Sequence, residues 1–453
     1  MRDFEHMART PRRWGKAPIE LRDRFDRSVP ALLFKIGRYP LHYGSAAAAR
    51  TLGRVGVSVF AVTEDRFTPT ALSRYLSGRF VWPTTGCEEP GQLLDGLRRL
   101  GQAIGKQTVL IPTDDEAAVL AAEHAEVLRE HFLLPEVAPA LPRQLASKRR
   151  LAELCEAAGV PTPRTIRPTT PTELFDAAAE LGFPVVLKND APWERLRRPA
   201  VSGTTVVTHK AELDGITSEW ESMPCVMVQE YLPHERTTDW SVHVYRSVGP
   251  IHERTLAFTG VVMRSFPAYT GVTVDGRTVA NEELRQLALR FCREVDFRGI
   301  AGMNWRHDTR DGCYKLLDFN VRAGAKFRMF ETSDGIDVVR ALHLDLTGRA
   351  VPSGGQQIAE RRYVVGNLAL AAAVSYRHDP SRKRIVRRPR GGVERAWLAF
   401  DDPLPGIATV LRSIASIPEL SSAQLKRGLR PPGPGPEESA PRPDIPTAST
   451  SPT

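Results

Sequence analysis

Asp318, Asn320 and Arg322 stand at alternate positions in the stretch YKLLDFNVR, residues 314–322. Side chains of a β-strand alternate between its two faces, so these three share one face, neighbours about 7 Å apart. Leu317, Phe319 and Val321 share the other. An acid, an amide and a guanidinium in a row can be the solvated side of a surface strand. They also have the chemistry of a phosphate and metal site. Magnesium takes octahedral oxygen ligands and is typically held by one or two carboxylates together with phosphate oxygens and water. Asp318 supplies the charged ligand, Asn320 an amide oxygen, and Arg322 a planar pair of donors for a phosphate.

What faces Asp318 depends on the hairpin formed by IAGMNWRHD (300–308) and CYKLLDFN (313–320). A two-residue Asp311-Gly312 turn sets Asn304 opposite Phe319. A three-residue loop, Arg310-Asp311-Gly312 with Gly312 left-handed, sets Asn304 opposite Asp318. The second is a common hairpin class with glycine at the bulge position, and it is the one expected here. It brings Asn304, Asp318, Asn320 and Arg322 onto one face. A further cation, Lys188, ends the apolar run PVVLK. It either reaches solvent or meets a phosphate as a point charge. The loop after it, NDAPWERLRRPAVSG (189–203), carries Arg195, Arg197 and Arg198, which would close over a polyanion. Loops of that length without regular structure tend to be lids, binding loops or disordered. In VMVQEYLP (226–233) an apolar strand runs into Pro233 and leaves backbone groups free at Glu230 and Leu232. These can bond an adenine edge while Met227 or Tyr231 packs the ring.

The chain that must position these groups has 453 residues, 25% charged and 42% hydrophobic, long enough for two or three domains of ordinary soluble composition. Its net charge of +9 favours polyanionic ligands. Cys87, Cys155, Cys225, Cys292 and Cys313 are scattered and form no CxxC pair, which argues against a disulfide framework or a zinc site and fits a reducing cytosol. No apolar run approaches the roughly 20 residues that span a bilayer, so a membrane partner is not expected. The charged start, MRDFEHMARTPRRWGKAP, lacks the apolar core of a secretory signal, reads as an irregular extension, and contains Met7 as an alternative start.

Three short apolar runs, ALLFKIG (31–37), GVSVFAV (56–62) and TVLIP (108–112), alternate with helical stretches and read as a parallel α/β layer. IGRYPLHYG after the first is no GxGxxG fingerprint. From Ala146 the texture changes. SKRRLAELCEAAG and TPTELFDAAAELG read as amphipathic helices, the second opened by Thr170 and Glu173 at capping-box spacing. FPVVLKND, SGTTVVTH, CVMVQEYL, DWSVHVYR and the hairpin are strands of an α+β region with antiparallel pairs. RRYVVGNLALAAAVSYR (361–377) reads as a buried helix, DPSRKRIVRRPRGG (379–392) as a solvated basic loop, and the Pro- and Ser-rich stretch from Pro431 as a disordered tail. The basic run lacks interleaved aromatics for base stacking, which argues against nucleic acid as a partner.

The order SKRRLAELCEAAGVPTP, FPVVLKND, VQEYL, DWSVHVYRS and YKLLDFNVRAG resembles the ATP-grasp superfamily, in its carboxylate–amine ligase-like members, over roughly residues 30–415, including AWLAFDDPLPG near the end. The resemblance implies a mixed α/β and α+β fold. An N-terminal parallel α/β (pre-ATP-grasp) domain, residues 30–135, would precede a two-subdomain ATP-grasp fold with antiparallel sheets, residues 136–350. A C-terminal helical extension (351–428) and the tail (429–453) would follow, with 1–29 the irregular extension. It implies ATP and Mg2+ held between the subdomains. Lys148 and Lys188 would touch ATP phosphates. Gln229, Glu230 and Leu232 would form the adenine hinge. Asp239 would bind ribose, with Glu235 its rival. Asp318, Asn320 and Asn304 would hold magnesium. Arg322 would bind phosphate and the developing acyl phosphate, and Arg264 in MRSFP the acceptor carboxylate.

Similar proteins usually carry Asp or Glu where this chain has Asn304, and a proline where it has Val321. The lid loop is poor in glycine, with only Gly203 at its end. The implied activity is ATP-dependent ligation of a small-molecule carboxylate to an amine through an acyl phosphate, in the cytoplasm, with a homodimer compatible. The alternative, motivated by the neutral Asn304, is a catalytically weakened ATP-binding sensor or assembly protein of the same fold.

Overall fold

A computed structural model describes residues 17–190, 199–201, 203–248, 253–352, 356–377, 379 and 389–415. The arginines at 195, 197 and 198, most of the basic run and the tail lie outside the described residues.

The apolar runs of the first third form β1 (Ala31–Phe34), β2 (Val59–Thr63), β3 (Leu76–Val81), β4 (Thr108–Pro112) and β5 (Phe132–Leu133). They make a parallel sheet in the order β3-β2-β1-β4-β5. Every residue of β1 is buried because helices cover both sheet faces, which is why its sequence runs apolar without alternation. Residues 17–29 add a short helix, Ile19–Arg22, and bury Leu21 and Phe25 in the core. Ordered packing therefore begins before Pro30.

A small antiparallel sheet follows: β6 (Thr165–Ile166), β7 (Val185–Asn189), β8 (Thr204–Val207) and β9 (Val226–Glu230), in the order β6-β9-β7-β8. Leu174, Ala177 and Ala178 of the helix Pro171–Leu181 pack on it. Thr170 caps that helix, its Oγ1 accepting from Glu173 N–H at 3.2 Å. The Glu173 carboxylate returns to Thr169 N–H at 2.7 Å, one residue earlier than the capping-box spacing predicts.

The large sheet comprises β10 (Thr237–Val248), β11 (Glu253–Phe266), β12 (Val272–Thr278), β13 (Gly299–Asp308), β14 (Cys313–Asn320), β15 (Arg362–Val364) and β16 (Val393–Arg395). Its order is β14-β13-β10-β11-β12-β15-β16, antiparallel except for the last pair. Trp240, Val242, Met303, Trp305 and Phe319 turn one face toward Leu284, Ala288 and Phe291 of the helix Glu282–Glu294 and Leu151 and Cys155 of the helix Lys148–Ala157. The opposite face packs Tyr245, Phe258 and Ile300 into the first domain's core at one part and carries the polar row of Asn304, Arg306, Asp318 and Asn320 at the other.

Asn304 pairs with Asp318, as the three-residue loop predicts, but by another route. The strands close at Asp308 opposite Cys313, leaving a four-residue turn, and a bulge between Asn304 and Trp305 restores the register. Leu317 is the extra residue. Leu316, not Leu317, therefore joins Phe319 and Val321 in the core. The same bulge puts Lys315 on the face of Asp318 and Asn320.

The C-terminal segment contains the helices Gly366–Ser375 and Leu404–Ala415, and in addition lends β15 and β16 to the large sheet. The buried helix expected across 361–377 is corrected in two ways. Its first residues form a strand, and Leu370 and Val374 of the helix are exposed. An alanine-rich helix with no polar stripe gives periodicity nothing to distinguish burial from exposure. The loop after β16 clamps the N-terminal sheet: Arg50 donates to Asp402 at 2.9 Å and to Trp397 O at 2.7 Å.

Between these layers lies a buried ionic cluster. Arg340 Nη1 is 2.9 Å from Glu331, Arg328 Nη1 is 2.6 Å from Asp337, and Arg361 bonds both Glu331 and Glu394. Thr51 donates to Asp337, tying the N-terminal sheet's helix Tyr43–Arg54 to the same cluster.

Candidate active site

β7 and β9 of the small sheet face β13 and β14 of the large one across a cleft. Lys188 comes from β7. Its ammonium is desolvated, feels the neighbouring positive charge of Lys148, and is pushed down to about 8 despite attraction from Asp318. Among the described residues nothing hydrogen-bonds its Nζ. Lys148, at the start of the helix capped by Ser147, forms an ion pair with Asp318. Asn320 Nδ2 donates to Gly302 O at 2.9 Å, and its Oδ1 accepts from Arg322 Nη2 at 3.0 Å. Arg322 Nε lies 3.2 Å from Asp115 Oδ1, close enough for an ion pair but misaligned for a hydrogen bond. Asp115 opens the helix Asp115–Glu123 of the N-terminal sheet, so that domain closes one end of the cleft.

The other end is the expected hinge. The Leu232 N–H has no hydrogen bond to the described residues, which leaves the donor an adenine edge needs. The Leu232 carbonyl accepts from Arg306 at 3.2 Å. Glu230 faces Lys315 at 3.4 Å. The Gln229 side chain is turned away, donating to Thr165 Oγ1 at 2.9 Å across the β6–β9 pair. Asp239 is held by Arg306 Nε at 2.6 Å.

Several of these groups escape sequence reasoning. Arg306 and Lys315 lie on the polar face, and an alternating pattern counted from Asn304 reaches Arg306; Lys315 requires the bulge. Lys326, six residues beyond β14, donates to Asn304 Oδ1 at 2.9 Å and to Thr273 Oγ1 at 3.0 Å. Desolvation brings its ammonium down to about 8, against attraction from Asp239 and Asp318. His42 stands near Arg322 and Lys35; burial and those cations push its imidazole down to about 3, so it is neutral, and its Nδ1 accepts from Ser45 N–H. Neither Lys326 nor His42 has a local sequence signal.

Arg264 stands apart. It sits in β11 beside Asp275, at a point where the β11–β12 register shifts. Three strand spacings, about 14 Å, separate its strand from that of Asp318. A small apolar cavity of about 60 Å³, lined by Leu110, Ala118, Phe297 and Leu342, lies behind Arg322. Its lining is too apolar for a nucleotide, unlike the face that carries Lys148, Lys188 and Lys326. Among the described residues no cluster of three His, Cys, Asp or Glu could hold a metal without help from a ligand.

A parallel α/β sheet, a small antiparallel sheet carrying Lys188, and a large sheet carrying Asp-x-Asn-x-Arg make the fold of the matched solved structures, the ATP-grasp arrangement that the resemblance implies. No family model matches the chain. The D-aspartate ligase of Enterococcus faecium (strain Aus0004) is 24% identical over 294 residues, 62% of this chain and 68% of that protein. Among solved structures, N5-carboxyaminoimidazole synthetase from Staphylococcus aureus complexed with ADP matches with a TM-score of 0.54 at 15% identity, over 80% of this chain and 91% of that one. An L-amino acid ligase from Bacillus licheniformis matches with a TM-score of 0.51 at 16% identity, over 70% of this chain and 74% of that one. No described helix is long and apolar enough to cross a membrane.

Proposed function

We propose that this protein is an ATP-dependent ligase that joins a small-molecule carboxylate to an amine through an acyl phosphate. The observation that carries this is Lys188: a desolvated ammonium with no hydrogen-bond partner among the described residues, beside Lys148 and Arg306. Collecting like charges in a desolvated cleft is costly unless a polyanion joins them. In this reading the Leu232 N–H would meet the adenine and Arg322 the phosphate end of a nucleoside triphosphate.

In this reading the carboxylate attacks the γ-phosphorus of ATP, the bond to the β-phosphate oxygen breaks, and ADP leaves. The amine then attacks the acyl carbon, phosphate leaves with the bridging oxygen, and the amine proton passes to phosphate or water. No protein nucleophile is needed. Lys148 and Lys188 hold the phosphates, and Arg322 neutralises charge on the phosphoryl group in flight. Asp318 and Asn320 would hold magnesium. Their fit is supported by the all-oxygen donor pair with one carboxylate; the contacts that Asp318 now makes with Lys148 and Asn320 with Arg322 would give way to the ion. When bound, the ion supplies positive charge to the phosphate oxygens. The amino acid substrates named in two of the matched proteins make amino acids, D-aspartate first, the acceptors to test.

ADP release from the purified protein, measured across a panel of amino acids and carboxylic acids, tests the assignment. Asp318→Ala and Lys188→Ala are expected to abolish it; full activity in either variant contradicts the proposal. ATP binding without turnover on any pair would favour the sensor alternative.

The pKa of Lys188 makes a separate prediction. kcat/KM for ATP is expected to fall as pH rises through about 8, because only the charged form attracts phosphate. For stability the sign is opposite: the cost of burying the charge is fully present below about 8 and is relieved as pH rises from there toward the ordinary 10.5. Lys188→Arg, charged throughout, should shrink the kinetic limb, leaving the part contributed by Lys326, whose ammonium is also down to about 8. A wild-type profile flat from pH 7 to about 9.5 would show that Lys188 does not meet the nucleotide.

A further inference from the structure

Around Asp318 the polar face of β13 and β14 presents three oxygen-bearing side chains, Asn304, Asp318 and Asn320, of which only Asp318 carries charge; Asp308, further along β13, is engaged by Lys315 and Arg310. Asn304 lies directly across from Asp318. Its amide oxygen, the atom through which it could ligate a metal, accepts from Lys326 Nζ at 2.9 Å. The same ammonium donates to Thr273 Oγ1 on β12 at 3.0 Å. Among the described residues no carboxylate lies within ion-pair distance of it; Asp239 and Asp318 attract it from further away, and Arg322 repels it. An ammonium has three donors. Two are fixed on neutral oxygens from two strands, and the third remains for the cleft. The Lys326 ammonium is thus held by two neutral oxygens, with no carboxylate in ion-pair contact among the described residues.

Nucleotide sites hold one magnesium ion or two. A second ion needs a charged oxygen ligand of its own, and Asn304 provides none. A carboxylate carrying a divalent ion and an amide carrying an ammonium nevertheless present the same net charge, one positive, to a polyphosphate. Resting on the nucleotide-binding reading above, we propose that Lys326 takes the place of a divalent ion at the Asn304 end of this face. It contacts the polyphosphate directly, and the protein binds one divalent ion per nucleotide, at Asp318 and Asn320. Lys326 is then a phosphate-binding residue, held in place by Asn304 and Thr273.

Manganese is the probe, because its free ion is counted by electron paramagnetic resonance. The full chain is saturated with a non-hydrolysable ATP analogue, and bound Mn2+ is measured per bound nucleotide. The wild type is expected to bind one. Lys326→Ala should also bind one, with nucleotide affinity weaker by about tenfold or more, the loss expected for a hydrogen bond to a charged group. Asn304→Asp combined with Lys326→Ala should bind two. Two ions in the wild type, or unchanged nucleotide affinity in Lys326→Ala, overturns the inference, as does a single ion in a folded double variant. Should the double variant not fold, Lys326→Met and the wild-type count still decide. Failure of the wild type to bind the analogue at all would overturn the nucleotide reading itself, whereas binding with two ions would remove only the role of Lys326.

Discussion

Asp318→Asn is expected to lower the rate of ATP-dependent ligation by about 10³-fold, the scale seen when one preorganised charge-stabilising group is removed from an active site. Of the three side chains that could face magnesium, Asp318 alone is anionic. Its loss removes the metal's charged ligand and also the counter-charge that Lys148 and Lys188 share. The effect on the free protein should be small by comparison. Asp318 and Lys148 keep side-chain exposures of 28% and 19%, so solvent screens the pair, and a destabilisation of no more than about 1 kcal/mol is expected. A rate measured under saturating ATP and magnesium, together with a thermal melt, separates the two. Activity within tenfold of the wild type would mean the metal is held elsewhere. A large fall in melting temperature would recast Asp318 as a structural residue.

The second large effect is on stability. Glu331→Gln is expected to cost about 3–5 kcal/mol, read from urea unfolding monitored by tryptophan fluorescence. Burial by itself would raise the pKa of Glu331, but Arg328, Arg361 and Arg340 outweigh it and hold the carboxyl well below its usual range. The glutamine keeps the shape and removes the charge that three largely buried guanidinium groups share. Because the folded-state pKa is depressed, the stabilisation is complete above the ordinary value of 4.5 and is lost as pH falls toward the lower folded value. The variant should therefore lose most stability relative to the wild type near neutral pH, and the gap should narrow in acid. A cost under about 1 kcal/mol would show that Asp337 and Glu394 suffice for the cluster. Since the cluster also touches Thr51 through Asp337, its loss should loosen the N-terminal sheet against the rest.

Both effects depend on side chains whose roles were unequally visible in the residues alone. Asp318, Asn320 and Arg322 were legible as a row because strand periodicity is local, and Lys188 because an ion at the end of an apolar run is conspicuous. A three-residue loop predicts the Asn304–Asp318 pairing. The chain uses a four-residue turn and a bulge at Leu317. Turn length and bulge position compensate, so sequence spacing could not tell the two apart. Arg264 illustrates the limit of such reading. The family resemblance implied a carboxylate contact there, and only the strand order shows that β13 and β10 lie between it and Asp318.

By itself the sequence determined the parallel first layer, the antiparallel pairing of the strands after Ala146, and the polar row of Asp318, Asn320 and Arg322. Each follows from periodicity or from a backbone constraint within a few residues. Only the tertiary structure decided that Arg306 bonds the Leu232 carbonyl, that Asp115 brings the N-terminal sheet to Arg322, that Lys326 occupies the oxygen of Asn304, and that the C-terminal strands complete the large sheet. Those contacts join residues tens to hundreds of positions apart. Which distant groups meet is set by strand order and by the packing of whole layers, and no local pattern records it.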